Sequence, residues 1–271
     1  MKRQVASIPV SHWNDKRRDG RQNDLQVLPM KRYIFAGAFV FLAVLVTTFP
    51  ARVAYNLFAP PDIVLTGVEG SVWNGVAAEG LAAGAYIRNL AWSVQPKTLL
   101  TGRLGFKLSA EPVAGKINAN VTIGLNNSLM LTDLTGTLPL DLVHQAFQQE
   151  GIRGDVSLNF TRMVVENGLP VDVSGNVTVA NFFEPGLSAS KIGDFKAEFR
   201  SEDGNITGNI DDVSGILDVD GTITLSPNRS YSIIGNVAAR PNAPPSVNQR
   251  LQFLGSADER GFRPFRFEGS L

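Results

Sequence analysis

The sequence predicts a mainly β protein, in which a single N-terminal transmembrane helix precedes a curved, largely antiparallel sheet with two short helices. Residues Tyr33–Phe49 (YIFAGAFVFLAVLVTTF) carry no charged side chain. From Ile63 onward, short runs alternate apolar and polar residues and end at Gly, Asn, Asp or Pro, which is typical of half-buried antiparallel strands. Strands and long helices do not alternate, so an α/β architecture is disfavoured. We expect an open sheet or an incomplete barrel.

The apolar run Tyr33–Phe49 is the candidate membrane anchor. Its seventeen residues reach roughly 25 Å as a helix, which is at the short end of what crosses a hydrocarbon core of about 30 Å. A helix on the surface of a soluble protein usually carries a polar stripe, whereas this one is apolar on every side. The run therefore predicts contact with a lipid bilayer.

The charges that flank the run predict its orientation. Lys and Arg accumulate on the cytoplasmic side of membrane segments. Only Arg52 follows the run closely, whereas eight cationic residues precede it: Lys2, Arg3, Lys16, Arg17, Arg18, Arg21, Lys31 and Arg32. We therefore expect a single-pass protein of the bacterial inner membrane, with a cytoplasmic N-terminus and a periplasmic C-terminal domain. Cleavage after Ala51 or Ala54 would place Phe49 or Arg52 at position −3, where small residues are required, so the anchor is expected to stay uncleaved.

These observations predict three segments. Residues 1–29 are polar and basic without periodicity, and they are either a disordered cytoplasmic tail or the product of a mis-assigned start, since Met30 directly precedes Lys31 and Arg32. Residues 30–50 form the transmembrane anchor. Residues 51–271, about 220 in number, form a periplasmic β domain.

Composition excludes several kinds of chemistry. Lys and Arg total 25 and Asp and Glu total 25, so no excess of positive charge predicts nucleic-acid binding. Disulfides, thiol catalysis and cysteine–zinc sites are impossible, because the chain has no cysteine. Its two histidines, His12 and His144, lie far apart in sequence, and His144 is expected to be a packing residue. We predict no catalytic, cofactor-binding or metal-binding residues, and no enzyme activity.

Within the domain, two segments interrupt the strand pattern. Leu140–Gln149 and Ser246–Leu254 show apolar residues at helical spacing, and Ser246 is the expected N-cap of the second helix because two prolines precede it. Alternation along the strands leaves the sheet with one apolar face. A second layer, folding of the sheet upon itself, a lipid or a partner protein could each cover that face.

One motif resembles part of a known active site. The run Asp218–Thr222 (DVDGT) follows apolar residues and resembles the first motif of haloacid-dehalogenase-type phosphatases, where the first Asp is the nucleophile and the second is the acid/base residue. That motif opens an α/β domain and needs further residues on later parallel strands, whereas only about fifty residues follow Asp218 here. We therefore interpret it as part of a strand with carboxylates on the solvent side.

Two tryptophan motifs lie near the start of the predicted β domain. Trp73 lies in GSVWNG, where a strand run is expected to begin, and Trp92 lies in LAWSVQP. Both rings are expected to be core residues, since glycine leaves room for a ring against the backbone. Together with the glycines that follow, these motifs predict a structural signature of six residues: Trp73, Gly75, Trp92, Pro96, Gly102 and Gly105.

The order FPARVAYNLFAP, LTGVEGSVWNG and LAWSVQPKTLLTGRLG after a single anchor resembles the general secretion pathway protein N family of type II secretion systems, over about residues 30–271. The resemblance implies a non-enzymatic, inner-membrane accessory component that supports the export of folded proteins across the outer membrane. It also implies partners among the other type II secretion components. A similar W-x-G motif and a similar repetition of short strands occur in AsmA-like proteins. The alternative function is therefore that of a lipid-handling groove protein of the cell envelope.

Overall fold

The computed structural model describes residues 24–59, 63–82, 85–112, 115–124, 128–140 and 151–270. Its contacts divide the chain into two units between Phe49 and Pro50. The helix predicted at Leu140–Gln149, with His144, lies outside the described residues except for Leu140.

The first unit contains helix α1, Asp24–Thr47. The helix ends where the hydroxyls of Thr47 and Thr48 donate to backbone carbonyls one turn earlier, at Ala43 and Val44 respectively. From Tyr33 to Val46 the large apolar side chains are exposed. Across the described residues, no helix combines the length and the apolar character needed to cross a membrane.

In the second unit, the described residues form three short helices: α2 at Ala51–Phe58, α3 at Pro96–Leu99 and α4 at Pro245–Leu251. A 3₁₀ turn, Gln252–Leu254, continues α4. The predicted helix Ser246–Leu254 is confirmed, but Ser246 is not its N-cap, because the helix already begins at Pro245. The first helical position needs no backbone N–H, and the fixed φ of proline suits it.

Fourteen strands follow the chain in order within the described residues. They are β1 Ile63–Thr66, β2 Glu69–Gly70, β3 Asn74–Ala82, β4 Ala85–Val94, β5 Leu104–Pro112, β6 Lys116–Ile123, β7 Leu129–Pro139, β8 Arg153–Glu166, β9 Leu169–Phe183, β10 Gly193–Glu202, β11 Asn205–Gly215, β12 Leu217–Leu225, β13 Ser230–Ala239 and β14 Arg263–Ser270.

All fourteen strands belong to one antiparallel sheet. From β3 to β14 each strand pairs with the next strand in sequence, while β1 pairs with β3 and β2 is a short addition to β3. Most of the connections are too short for the crossovers that parallel strands require, which favours antiparallel pairing of sequential strands. The sheet does not close, since β1 and β14 are its two terminal strands. The prediction of a mainly β, open antiparallel sheet is confirmed.

One face of the sheet, called the inner face below, collects the apolar residues of the alternating pattern. Two clusters of buried side chains lie on it. The first joins Ile192, Leu217 and Val237 to the α4 residues Val247 and Leu251. The second, formed by Phe160, Val173 and Ile206, has no helix among its members. The side chains of α4 therefore cover the first cluster on the inner face. They do not cover the second cluster.

A bulge changes the predicted facing of β4. Simple alternation predicts Tyr86, Arg88, Leu90, Trp92 and Val94 on one face. In the pairing with β5, however, β4 has one extra residue between Arg88 and Ala91. Asn89 there has a φ of 50°. Because one extra residue reverses the alternation, Tyr86 and Arg88 lie on the opposite face from Trp92.

Candidate functional site

The first tryptophan motif forms a tight turn. Ser71 and Asn74 exchange two backbone hydrogen bonds, Ser71 N–H to Asn74 O at 2.9 Å and Asn74 N–H to Ser71 O at 3.2 Å. Val72 and Trp73 are thus the two central residues of the β2–β3 hairpin. The prediction that Trp73 lies within a strand was wrong, because these hydrogen bonds reverse the chain before β3 begins at Asn74. The Trp73 carbonyl accepts a hydrogen bond from Val94 N–H at 2.7 Å.

The second motif packs onto the first. Gly75 and Trp92 are directly opposite each other in the β3–β4 pairing. A Cβ atom on Gly75 would lie 2.4 Å from Trp92 Cζ2 and 2.7 Å from the Glu69 carbonyl oxygen, so the ring occupies the space that a side chain would need. The indole Nε1–H donates to Val72 O at 3.2 Å. Trp92 therefore connects the Ser71–Asn74 turn to the sheet, because its ring packs on Gly75 and its indole N–H binds the turn.

Thr98 organises the remaining signature residues. Pro96 starts α3, and Thr98 in that helix donates its hydroxyl to Gln95 O at 2.7 Å. The same hydroxyl accepts the Gly105 N–H at 2.9 Å. A Cβ atom on Gly105 would lie 2.6 Å from the Thr98 side chain, which explains the need for glycine there. Gly102, with a φ of 69°, turns the chain back toward β5.

These contacts join the six predicted signature residues into two hydrogen-bonded groups at one end of β3–β5, called the signature cluster below. Two residues that organise the cluster, Ser71 and Thr98, were missed by the sequence prediction. The position of Thr98 just inside a helix that begins with proline was the available signal, since Ser and Thr hydroxyls often bond to nearby backbone groups. None of the six signature residues carries a titratable group, so the cluster offers packing and backbone order rather than proton transfer.

The part of the inner face that α4 does not cover contains an apolar cavity of about 290 Å³. Its lining comes from six consecutive strands, β8 to β13. The lining residues are Phe160, Met163, Pro170, Val173, Phe199, Ile206, Ile223, Leu225, Tyr231 and Ile233. No charged side chain is among them, and the Tyr231 hydroxyl is the one polar side-chain group of the lining.

The lining also shows that the sheet curves here. Strands lie about 4.8 Å apart, so β8 and β13 would be about 24 Å apart in a flat sheet. A single cavity of about 290 Å³ is nevertheless lined by side chains from both of these strands. Side chains of both strands reach it because the sheet bends around it. Sequence alternation could assign the lining residues to the inner face, but it did not indicate which strands curve around the cavity.

The phosphatase-like motif lies on the other face. Asp218 and Asp220 are both in β12, opposite Ala238 and Asn236 of β13, and Asn236 Nδ2 donates to Asp220 Oδ1 at 3.1 Å. Antiparallel strands flank β12 on both sides, and a hairpin turn follows it instead of a helix. Within the described residues, no group of three or more His, Asp or Glu side chains could hold a metal ion.

Two carboxylates have stabilising roles. Asp194 accepts hydrogen bonds from Lys191 Nζ at 2.8 Å, Ser214 Oγ at 2.6 Å and Asn181 N–H at 2.7 Å. These contacts, led by Lys191, lower the pKa of Asp194 to about 2. Its side chain is 24% exposed.

Asp212 is the more buried of the two carboxylates, with a side chain 5% exposed. It is paired with the guanidinium of Arg240, and its Oδ1 accepts the Val219 N–H at 2.8 Å. An ion pair at this depth stabilises the fold only while both partners are present.

Taken together, an open antiparallel sheet with an apolar cavity on its inner face defines a protein of the all-β class. A model of the family "Type II secretion system (T2SS), protein N" matches residues 61–266. The chain therefore belongs to this family, as the sequence resemblance predicted.

Curated relatives agree with this assignment. Type II secretion system protein N of Aeromonas hydrophila is 25% identical over 240 residues, which cover 85% of this chain and 94% of the relative. Its counterpart from Vibrio cholerae is 24% identical over 261 residues, covering 89% of this chain and all of the relative. The protein of the same name from Pectobacterium carotovorum is 26% identical over 123 residues, about half of each chain. No solved structure matches the chain significantly.

Proposed function

We propose that this chain is a non-enzymatic accessory component of the type II secretion system in the inner membrane, and that it supports export of folded proteins across the outer membrane. The observation that carries the proposal is the family match over residues 61–266, which spans nearly the whole sheet. As a type II secretion component it acts with other proteins of that system. The packing role of the signature cluster and the antiparallel surroundings of Asp218 are consistent with a component that performs no chemical step.

The proposed topology rests on the N-terminal sequence. Residues 30–50 are the anchor, with Tyr33–Phe49 in the bilayer, and residues 1–29 stay in the cytoplasm. Residues 51–271 form the periplasmic domain. The absence of charge in Tyr33–Phe49 and the excess of Lys and Arg before it support this orientation.

The two terminal strands differ in how they are protected, which favours β14 over β1 as the strand that contacts a partner. The Tyr55 hydroxyl donates to Ile63 O at 3.2 Å and accepts the Leu65 N–H at 2.8 Å, so α2 covers backbone groups of β1. Strand β14 pairs with β13 on one side and ends the sheet on the other. Terminal strands are templates for pairing with another chain. We therefore propose that a periplasmic partner adds to β14.

A cross-linking comparison tests the role of β14. A photoreactive amino acid replaces Arg266 in β14, whose side chain is 64% exposed, or Val64 in β1, which is 51% exposed. We expect cross-links to an identified type II secretion component from position 266 and fewer or none from position 64. Equal cross-linking from both strands, or none from position 266 in cells that secrete normally, would contradict the proposed use of β14.

The proposed function itself is tested by deleting the gene and comparing proteins of the medium and the periplasm by mass spectrometry, alongside membrane lipid composition. The expected result is that specific exoproteins accumulate in the periplasm while lipid composition is unchanged. The control is that reintroducing the intact gene restores secretion of these exoproteins. Intact secretion with altered lipid composition or outer-membrane permeability would instead favour the alternative, a lipid-handling protein of the envelope, for which the apolar cavity is the supporting observation.

A further inference from the structure

Within the described residues, the inner face is closed at one end of the sheet and open at the other. At the closed end, Val247 and Leu251 of α4 are buried against Ile192, Leu217 and Val237. The apolar cavity lies toward the opposite end, which carries the β8–β9 and β12–β13 turns. A smaller depression at those turns shares Pro170, Ile206 and Leu225 with the cavity, so the cavity continues to the rim of the sheet.

The open end is also the end at which the chain enters the domain. Pro50 forms a β-bridge with Ser71, next to the β2–β3 turn and the first residues of β3. Because every neighbouring pair from β3 to β14 is antiparallel, the start of β3 lies at the same end as the end of β12, Leu225, and the start of β13, Ser230. The cavity therefore opens at the Pro50 end of the sheet.

Few residues separate this end from α1 along the chain. Helix α1 ends at Thr47, and only Thr48 and Phe49 separate it from Pro50. Three extended residues span at most about 10 Å. If Tyr33–Phe49 lies in the bilayer, as proposed above, Pro50 is within that distance of the membrane surface.

The lining restricts the chemistry of the occupant. Small-molecule pockets usually enclose roughly 300–1,000 Å³ and place a few polar groups for recognition. This cavity has about 290 Å³ and offers only the Tyr231 hydroxyl. A cavity with so few hydrogen-bonding groups is a poor site for water, whereas an alkyl chain requires no polar partner and gains from leaving water. The size suits one chain rather than a whole lipid.

We infer that the apolar cavity holds one acyl chain of a membrane phospholipid, which enters at the Pro50 end. The inference rests on the inner-membrane placement proposed above. The lipid headgroup stays at the rim, where the hairpin turns supply polar groups, while the acyl chain lies along the inner face toward α4. The bound chain thus covers the part of the inner face that α4 leaves open.

Photo-cross-linking of the full chain tests this inference. The protein is reconstituted in vesicles of phosphatidylethanolamine and phosphatidylglycerol that carry a diazirine in the acyl chain, and adducts are mapped by mass spectrometry after irradiation. We expect adducts on α1 and also on the cavity lining, in peptides that include Met163, Ile206 or Tyr231. Adducts on α1 alone would overturn the inference and leave the membrane placement intact. Adducts on neither would overturn both.

Matched variants locate the site. Ile233 lines the cavity, whereas its neighbour Ile234 lies on the opposite face of β13 and is 48% exposed. Ile233→Trp is expected to abolish the cavity adducts and keep those on α1, and Ile234→Trp is expected to keep both. Circular dichroism verifies that each variant is folded, and Ile223→Trp replaces Ile233→Trp if the latter is not. Cavity adducts that survive in a folded blocking variant would overturn the assignment of the site.

Discussion

The contact between Gly75 and the Trp92 ring makes a quantitative prediction about stability. A Cβ atom on Gly75 would be 2.4 Å from the ring and 2.7 Å from the Glu69 carbonyl oxygen. Gly75→Ala therefore overpacks the site, which typically costs about 1–3 kcal/mol of unfolding free energy. Trp92→Ala is expected to cost about 3 kcal/mol, the lower end for such truncations, because the ring is only partly buried.

The two substitutions should not be additive. Removing the Trp92 ring removes the nearer of the two obstacles to an alanine side chain, while the Glu69 oxygen remains. We expect Gly75→Ala to cost at least about 1 kcal/mol less in the Trp92→Ala background than in the wild-type chain. Urea unfolding of the full chain in micelles, followed by far-ultraviolet circular dichroism, measures the effect. A loss of about 2 kcal/mol lowers the midpoint by roughly 1 M at a typical slope.

A control glycine separates this contact from a general effect of alanine in strands. A Cβ atom on Gly221 in β12 would have its closest contact at 3.3 Å, so Gly221→Ala is expected to change stability less than Gly75→Ala. If the costs of Gly75→Ala and Trp92→Ala add to within about 0.5 kcal/mol, the ring is not the obstacle and the packing argument fails. The role of Trp92 is likewise refuted if Trp92→Ala leaves protein levels normal and abolishes secretion.

Three further predictions concern polar contacts. The lowered pKa of Asp194 contributes about 2 kcal/mol of stability, which is fully present above pH 4 and is lost as the pH falls from about 4 to 2. Asp194→Asn should therefore lower the unfolding midpoint at pH 7 and flatten the acid limb of the stability curve. Thr98→Val breaks both hydrogen bonds of the hydroxyl and should cost about 1–3 kcal/mol in urea unfolding. Asp212→Ala leaves the Val219 N–H without its acceptor and Arg240 without its partner, and should cost about 1–3 kcal/mol, visible as reduced folded protein.

Each of these predictions has its own control. An acid limb that is the same in Asp194→Asn and the wild-type chain would show that the lowered pKa does not stabilise the fold. Thr101→Val removes a hydroxyl that makes one exposed bond, to Thr98 O at 2.7 Å, and should have a smaller effect than Thr98→Val. If replacing Asp212 and Arg240 together costs as much as Asp212→Ala alone, the unpaired arginine is not the cause of the loss.

Prediction from sequence worked best where local patterns determine structure. The alternation in Lys116–Ile123 predicts β6 because successive side chains of a strand point to opposite faces. The apolar spacing in Ser246–Leu254 predicts α4 for the corresponding reason in a helix. It failed at Trp73, where two hydrogen bonds between Ser71 and Asn74 override the strand pattern, and at Asn89, where one extra residue reverses the facing of β4.

The sequence by itself determined the class of fold, the antiparallel pairing of neighbouring strands and the family. These properties follow from periodicity, turn residues and motif order, which are local along the chain. Only the tertiary structure decided that Trp92 rests on Gly75, that Thr98 joins Gln95 to Gly105, and that β8 to β13 bend around a cavity open at the Pro50 end. Such features depend on register, bulges and accumulated curvature over many strands, and no local pattern encodes them.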